Sequence, residues 1–250
     1  MSRPPRDRGG TTRWVAGADG CRDGWVVARR HVDTGEHRVQ VVATLAEALD
    51  GDPAVLAVDV PIGLPRRAEP GGREADRAAR RLLGWPRSAS VFSPPSRDAL
   101  AAKTHAEAST RNRASGPDAP GLSVQAFHLF AKIREADALV TPARQRGDGP
   151  TRIVEAHPEV IFAQMNGGTA LVASKASREG REARVALLGV HGVADPLAHA
   201  RACRGRATAD DVLDALACAW TAERIRRGAA LCLPADPETD PRGLRMEIWA

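Results

Sequence analysis

Short apolar runs separated by turn signals open the chain. The alternation of apolar and polar positions, with Asp23-Gly24 as a turn signal, predicts three successive strands. A short helix and an unbroken apolar run ending in an acid follow. The predicted order is strand, strand, strand, helix, strand, at residues 14–18, 25–29, 38–43, 45–49 and 55–59. Because unbroken apolar runs suit strands covered on both faces, this order predicts an α/β fold.

The second half of the chain is dominated by helical periodicity. Between Asp59 and Glu155 lies far more chain than an ordinary connection needs. We interpret this stretch as a helical insertion at about residues 64–150, with helices at 74–83, 96–108 and 124–138 and loops at 111–121 and 141–150. Beyond Glu155, helices are predicted at 159–165, 178–188 and 209–227, and an edge strand at 244–249.

Composition limits the classes of protein that fit. With 250 residues and 43% hydrophobic content, the chain can form one core, so we predict a single domain over residues 13–250 after a disordered basic tail at 1–12. No apolar run is long enough for a membrane span, and the N-terminus lacks the apolar segment of a signal peptide. We therefore expect a cytoplasmic protein without a membrane partner, and the sequence leaves its oligomeric state open. The four cysteines have no zinc-ligand spacing and are expected to be reduced thiols.

The net charge of +5 is unevenly distributed. Residues 66–113 carry 11 basic and five acidic side chains, just after the strand that ends in Asp59. A phosphate-bearing partner such as nucleic acid would be attracted there. A solvated arginine-rich helix face explains the same block equally well.

Carboxylates occur where predicted strands end and where the last long helix begins. Asp19 and Asp59 each follow an apolar strand, and Glu155 repeats the arrangement more weakly. Asp211 and Asp214 are three residues apart and so share one helix face, while Asp210 is expected to be the helix cap. Small residues on the same stripe should let this helix lie close to the sheet.

Acids brought together from these positions would form an oxygen-only site. Such sites suit Mg²⁺ or Mn²⁺, and several clustered carboxylates repel one another unless cations lie between them. Two such ions can activate water and stabilise the leaving oxygen in phosphodiester hydrolysis.

The predicted order and the late acidic helix resemble the ribonuclease H-like fold, a mixed sheet flanked by helices. Residues 211–217 resemble the Asp-x-x-Asp-Ala-Leu-Ala segment of RuvC-type resolvases. Nearly the whole chain resembles domain-of-unknown-function family 429, described as predicted RNase H-fold nucleases, through segments at 17–26, 59–65, 73–80, 155–159, 174–175 and 210–220.

The resemblance implies a metal-dependent nuclease and assigns roles to particular acids. Asp19, Asp59, Asp211 and Asp214 are the implied metal ligands, with Glu155 as a fifth catalytic acid. The long helical insertion departs from the minimal fold, so the substrate class does not follow from the resemblance.

Three basic residues in these segments are candidate phosphate ligands. Arg73 and Arg80 are two helical turns apart, and a surface salt-bridge ladder is an equally good interpretation of them. Lys175 could contact a phosphate or only solvent. His157, next to Pro158, is interpreted as structural.

Two other functions fit the same sequence. Residues 17–20 also resemble the first phosphate loop of actin-like and sugar-kinase-like ATPases, and Asn166-Gly167-Gly168 is a weak candidate for a second nucleotide loop. A non-catalytic module could instead hold nucleic acid through the basic insertion.

Overall fold

A five-stranded mixed sheet forms the centre of the fold. The computed structural model describes residues 12–250. The strands are β1 (Trp14–Cys21), β2 (Gly24–His31), β3 (His37–Val42), β4 (Val55–Val58) and β5 (Arg152–Glu155). Their order across the sheet is β3-β2-β1-β4-β5, with β1, β2 and β3 antiparallel and β4 and β5 parallel to β1. The mixed sheet flanked by helices confirms the predicted fold class and is consistent with an RNase H-like fold.

Nine α-helices flank this sheet within residues 12–250. They are α1 (Glu74–Leu83), α2 (His105–Ala114), α3 (Val124–His128), α4 (Phe130–Leu139), α5 (Pro142–Arg146), α6 (Pro158–Met165), α7 (Arg178–Val190), α8 (Pro196–Ala202) and α9 (Ala209–Arg226). Short 3₁₀ turns cover Leu45–Leu49, Arg87–Ser90 and Ala99–Ala101. A two-stranded sheet pairs β6 (Cys232–Leu233) with β7 (Ile248–Trp249).

The sheet is buried on both faces, which explains its unbroken apolar runs. In β4, Val55 and Ala57 belong to one apolar cluster and Leu56 and Val58 to another. Helices α6, α7 and α9 contribute to the first cluster, and α4 from the insertion contributes to the second. Successive side chains of a strand point to opposite faces, so both clusters are needed to cover β4.

Helix α9 lies unusually close to β1. A Cβ atom added to Gly17 would lie 2.1 Å from the backbone nitrogen of Ala219 and 2.3 Å from the carbonyl oxygen of Ala215. Ala215, Cys218 and Ala219 are completely buried. The prediction that small residues let this helix approach the sheet is confirmed.

Part of the helical insertion differs from the prediction. The helix predicted at 96–108 is wrong, because the chain makes a 3₁₀ turn at Ala99–Ala101 and begins α2 only after Thr104. The Thr104 hydroxyl accepts a hydrogen bond from the Glu107 N–H at 3.2 Å, which is an N-cap that apolar periodicity does not reveal.

Smaller differences occur elsewhere. The helix predicted at 124–138 is divided at Leu129 into α3 and α4, and the loop predicted at 141–150 contains α5. Helix α8 was not predicted. The predicted edge strand at 244–249 shortens to β7, which also bridges Ala156 at the end of β5. Cys203 and Cys218 are buried, Cys21 and Cys232 are partly buried, and all four are free.

The predicted basic tail, apart from Thr12, lies outside the described residues. Across residues 12–250, every helix is too short or too polar to cross a membrane.

The close packing of α9 on β1 leads to a prediction about stability. Gly17→Ala should lower the free energy of unfolding by about 1–3 kcal/mol, because the added methyl group meets helix backbone that must shift. Gly189→Ala is the matched control, since a Cβ there meets no atom within 4 Å and alanine favours the helical conformation. Urea denaturation of both variants measures the difference. Equal stability of the two variants would contradict the tight packing.

Candidate metal centre

Two aspartates lie side by side on neighbouring parallel strands. Asp19 is the third residue from the end of β1, and Asp59 directly follows β4. Ala18 of β1 is opposite Val58 of β4, and the Asp59 N–H donates to the Ala18 carbonyl oxygen at 2.9 Å. Asp19 and Asp59 are the next residues along the two strands. Asp19 has the same strand parity as Gly17, so it lies on the face of the sheet that α9 covers.

Helix α9 brings a third carboxylate to these two. Asp214 lies in the second turn of α9 and is only 2% exposed. One carboxylate oxygen from each of Asp19, Asp59 and Asp214 lies within 4.8 Å of the other two. We call these three residues the carboxylate cluster. Three converging oxygen donors could hold a hard divalent cation.

Burial and mutual repulsion dominate the electrostatics of the cluster. Burial, followed by the charge of Asp214, raises the pKa of Asp59 to about 8. Burial also raises the pKa of Asp19 well above its usual range, and the charges of Asp59 and Asp214 add to this effect. A bound cation would relieve the same repulsion and favour the ionised form of all three groups.

Lys175 is a cation beside the carboxylate cluster. Its Nζ donates to Asp214 Oδ2 at 2.8 Å, and its side chain is 48% exposed. Burial raises the pKa of Asp214 to about 6, against the lowering effect of Lys175. Burial lowers the pKa of Lys175, but the Asp214 carboxylate outweighs this effect and the net shift is upward. Lys175 therefore stays charged, with part of its side chain open to solvent.

Asp211 and Asp210 have local partners at the start of α9. The Asp211 Oδ2 accepts from the Thr208 N–H at 2.8 Å, and the Asp211 N–H donates to the Thr208 hydroxyl at 3.2 Å. This reciprocal pair is a capping box, with Thr208 as the N-cap. The expectation that Asp210 caps the helix is wrong, because Asp210 pairs with Arg181 at 3.1 Å. The structure does not place Asp211 within the carboxylate cluster, although its charge raises the pKa of Asp19.

Glu155 is in a different environment from the cluster. Glu155 pairs with Val58 of β4, and the side chains of paired residues point to the same face of a sheet. Because Asp59 follows Val58, its side chain points to the opposite face from that of Glu155. The Glu155 carboxylate accepts from both terminal nitrogens of Arg73, at 2.6 and 2.7 Å, and from the Ile62 N–H at 2.7 Å. Burial raises the pKa of Glu155 to about 7, and the Arg73 charge limits the rise.

Arg73 is almost fully buried and has partners for its whole guanidinium group. Besides Glu155, it binds Asp76 at 2.7 Å and the carbonyl oxygens of Ile62 and Gly63 at 2.9 and 3.1 Å. The structure thus places Arg73 in an internal ion cluster and not on a surface where a phosphate could reach it. These contacts brace the loop that follows Asp59.

Arg80 also binds protein groups. Its Nε and Nη2 donate to the Val91 carbonyl oxygen at 3.0 and 2.6 Å, and its Nη2 donates to the Ser93 hydroxyl at 3.1 Å. The surface ion pairs of α1 are instead made by Arg77 and Arg81, both with Glu74. Of the three predicted phosphate ligands, Lys175 alone lies at the carboxylate cluster.

Comparison with known protein families assigns this chain to a family. The model of the family described as "Protein of unknown function (DUF429)" matches residues 17–239. The chain belongs to the DUF429 family. Searches of curated proteins and of solved structures each gave no match. The family description assigns no activity, so the match names no reaction.

In this DUF429 chain a cleft of about 400 Å³ opens beside the carboxylate cluster. Asp59 and Lys175 form one edge of it, and His157 and Glu159 line its wall at the start of α6. Burial lowers the pKa of His157. Opposite them, residues of the insertion complete the cleft, including Phe92.

Glu159 is the residue that sequence reasoning missed. It is 7% exposed, and its Oε1 binds Arg184 at 2.5 Å. An acid in the first turn of a helix looks like a capping residue, which is why its sequence position gave no signal. The available signal was its place in the segment 155–159 that resembles the family.

The second nucleotide loop suggested by the sequence has a local structural role. Asn166 is the C-cap of α6, and the Gly168 N–H donates to the Ala163 carbonyl oxygen at 2.8 Å. Gly167 and Gly168 both have positive φ, at 67° and 88°, as helix-ending glycines do.

The raised pKa values predict how stability depends on pH without metal. The folded protein keeps a proton on Asp59 between about pH 4 and about pH 8, and one on Asp214 between about pH 4 and about pH 6, whereas the unfolded chain has lost both. The free energy of unfolding in a chelating buffer should therefore fall as the pH rises through this range. Asp59→Asn should reduce the slope, measured by urea denaturation at several pH values. Asp33→Asn, at an exposed carboxylate outside the cluster, is the control, and equal slopes for both variants would refute the prediction.

The buried ion pair makes a separate prediction. Glu155→Gln should lower the free energy of unfolding by about 3 kcal/mol or more, because it leaves the buried Arg73 charge incompletely compensated. Glu36→Gln, at the exposed Arg38 pair, should cost less than about 1 kcal/mol. Full stability of Glu155→Gln, together with a loss of Mn²⁺ affinity measured by calorimetry, would contradict this structural role. Glu155 would then be a metal ligand.

Proposed function

We propose that this protein is a metal-dependent phosphodiester hydrolase, a nuclease that uses two Mg²⁺ or Mn²⁺ ions. The observation that carries the proposal is the convergence of Asp19 from β1, Asp59 from the end of β4 and Asp214 from α9. Three nearby buried carboxylates are costly unless a cation compensates them. The RNase H-like arrangement of the sheet and the resemblance of residues 211–217 to a segment of RuvC-type resolvases support the same conclusion.

In the proposed reaction, the four residues at the carboxylate cluster have distinct roles. Asp19, Asp59 and Asp214 would bind the ions, which supply Lewis-acid stabilisation and a water of lowered pKa when bound. Lys175 keeps Asp214 oriented through its 2.8 Å hydrogen bond, and its partly exposed ammonium group would contact a substrate phosphate oxygen.

Asp211 and Glu155 take supporting roles in the proposal. Asp211 raises the pKa of Asp19, so its charge acts on the same site while its carboxylate caps α9. Glu155, paired with Arg73, would hold the loop after Asp59 in place.

The proposal is tested by changing one carboxylate without changing the fold. Asp59→Asn should reduce Mn²⁺ affinity at least tenfold by calorimetry and remove cleavage of a panel of single- and double-stranded DNA and RNA. Asp210→Asn, at an acid of α9 that pairs with Arg181, is the matched control and should retain both properties.

Three results would contradict the proposal. The first is a wild-type protein that binds no Mn²⁺. The second is a large thermal shift specific to Mg-ATP, which would favour an ATPase of the same fold. The third is salt-dependent nucleic-acid binding without turnover that Asp59→Asn leaves unchanged, which would favour a binding module.

A further inference from the structure

The cleft beside the carboxylate cluster contains buried polar atoms that lack a protein partner. Glu159 Oε2 and His157 Nδ1 make no hydrogen bond to any group in residues 12–250, although Glu159 is more than nine-tenths buried. Buried polar atoms nearly always have a partner, so such an atom in a cleft wall points to a ligand. Both residues line the cleft.

The hydrogen bonds of Glu159 limit which polar group the ligand can place next to it. Arg184 binds Oε1, which leaves Oε2 as a hydrogen-bond acceptor. Glu159 also lies outside the three residues whose carboxylate oxygens lie within 4.8 Å of one another. A free acceptor on a residue that lines the cleft, with its other oxygen held by an arginine, fits an N–H donor on an organic ligand.

The size and lining of the cleft limit the ligand further. About 400 Å³ is in the lower part of the range of small-ligand clefts, roughly 300–1,000 Å³. Such a space admits one flat ring system but not a base-paired helix. Phe92, Leu129 and Pro158 supply apolar surface, and Phe92 offers an aromatic face for stacking.

We infer that this cleft receives the base of one unpaired nucleotide, whose phosphodiester group then lies at Asp59 and Lys175. A base N–H donates to Glu159 Oε2, and Phe92 stacks on the ring. Enzymes that act on a single nucleotide commonly enclose its unstacked base by this combination of stacking and edge hydrogen bonds. The inference rests on the proposed function and narrows its substrate to single-stranded or locally unpaired nucleic acid.

Two variants test the cleft separately from the metal ligands. Glu159→Gln retains a carbonyl oxygen for Arg184 and replaces the free acceptor with an NH₂ donor. Phe92→Leu keeps apolar bulk but removes the aromatic face, and it leaves the buried Glu159–Arg184 pair intact if the first variant fails to fold. Glu179→Gln, at an exposed acid of α7, is the control.

The probes are ribonucleoside and deoxyribonucleoside 5′-monophosphates and the corresponding base-free sugar 5-phosphates, titrated calorimetrically with Mn²⁺ present. We expect the wild-type protein and Glu179→Gln to bind the nucleotides at least tenfold more tightly than the sugar phosphates. Glu159→Gln should remove this preference, and Phe92→Leu should weaken nucleotide binding about fivefold. The two sugar series report whether RNA or DNA units are preferred.

A parallel Mn²⁺ titration separates this inference from the proposed function. Mn²⁺ binding without any preference for nucleotides over sugar phosphates would overturn the cleft assignment and leave the hydrolase proposal standing. Loss of Mn²⁺ binding in Glu159→Gln would overturn it too, by making Glu159 a metal ligand. A preference for nucleotides in a protein that binds no Mn²⁺ would support the cleft and refute the metal chemistry.

Discussion

The close contact between α9 and β1 is the constraint on which the rest of this structure depends. Gly17 has no side chain to separate the helix backbone from the strand, and Ala215, Cys218 and Ala219 keep the facing side small. Because the helix lies directly on the strand, Asp214 is delivered to the end of β1 beside Asp19. A larger distance between α9 and β1 would loosen the packing of their apolar side chains. It would also move the Asp214 carboxylate away from Asp19 and Asp59.

The charges around this contact form two buried systems on opposite faces of the sheet. On the α9 face, Lys175 is the only cation within residues 12–250 that pairs with Asp19, Asp59 or Asp214, and the pKa values of the three acids are raised. On the other face, Glu155 is neutralised by Arg73, which also binds Asp76 and the loop after β4. Acids with strongly shifted pKa values beside a cleft mark a candidate functional site, and the contacts of Arg73 hold the neighbouring loop in place.

The helical insertion gives the site its shape. It supplies Phe92 and Leu129 to the cleft, while the N-terminal end of α6 supplies His157 and Glu159. The cleft is therefore built between the core sheet and the insertion, next to the cluster. In the proposed hydrolase, the sheet and α9 would provide the chemistry and the insertion would decide which substrate reaches it.

Apolar patterning in the sequence determined the order of the first strands along the chain, the α/β fold class, and the placement of Asp19 and Asp59 near the ends of strands and of Asp214 on the last long helix. Those features are local, because apolar strand segments, helical periodicity and stripes of small residues each depend on residues that are close together in the sequence. The tertiary structure alone decided that Asp214 pairs with Lys175, that Glu155 pairs with Arg73, and that Glu159 lines a cleft. Which partner a charged side chain finds depends on strand register and on helix packing between residues distant in sequence, and single-chain patterns do not carry that information.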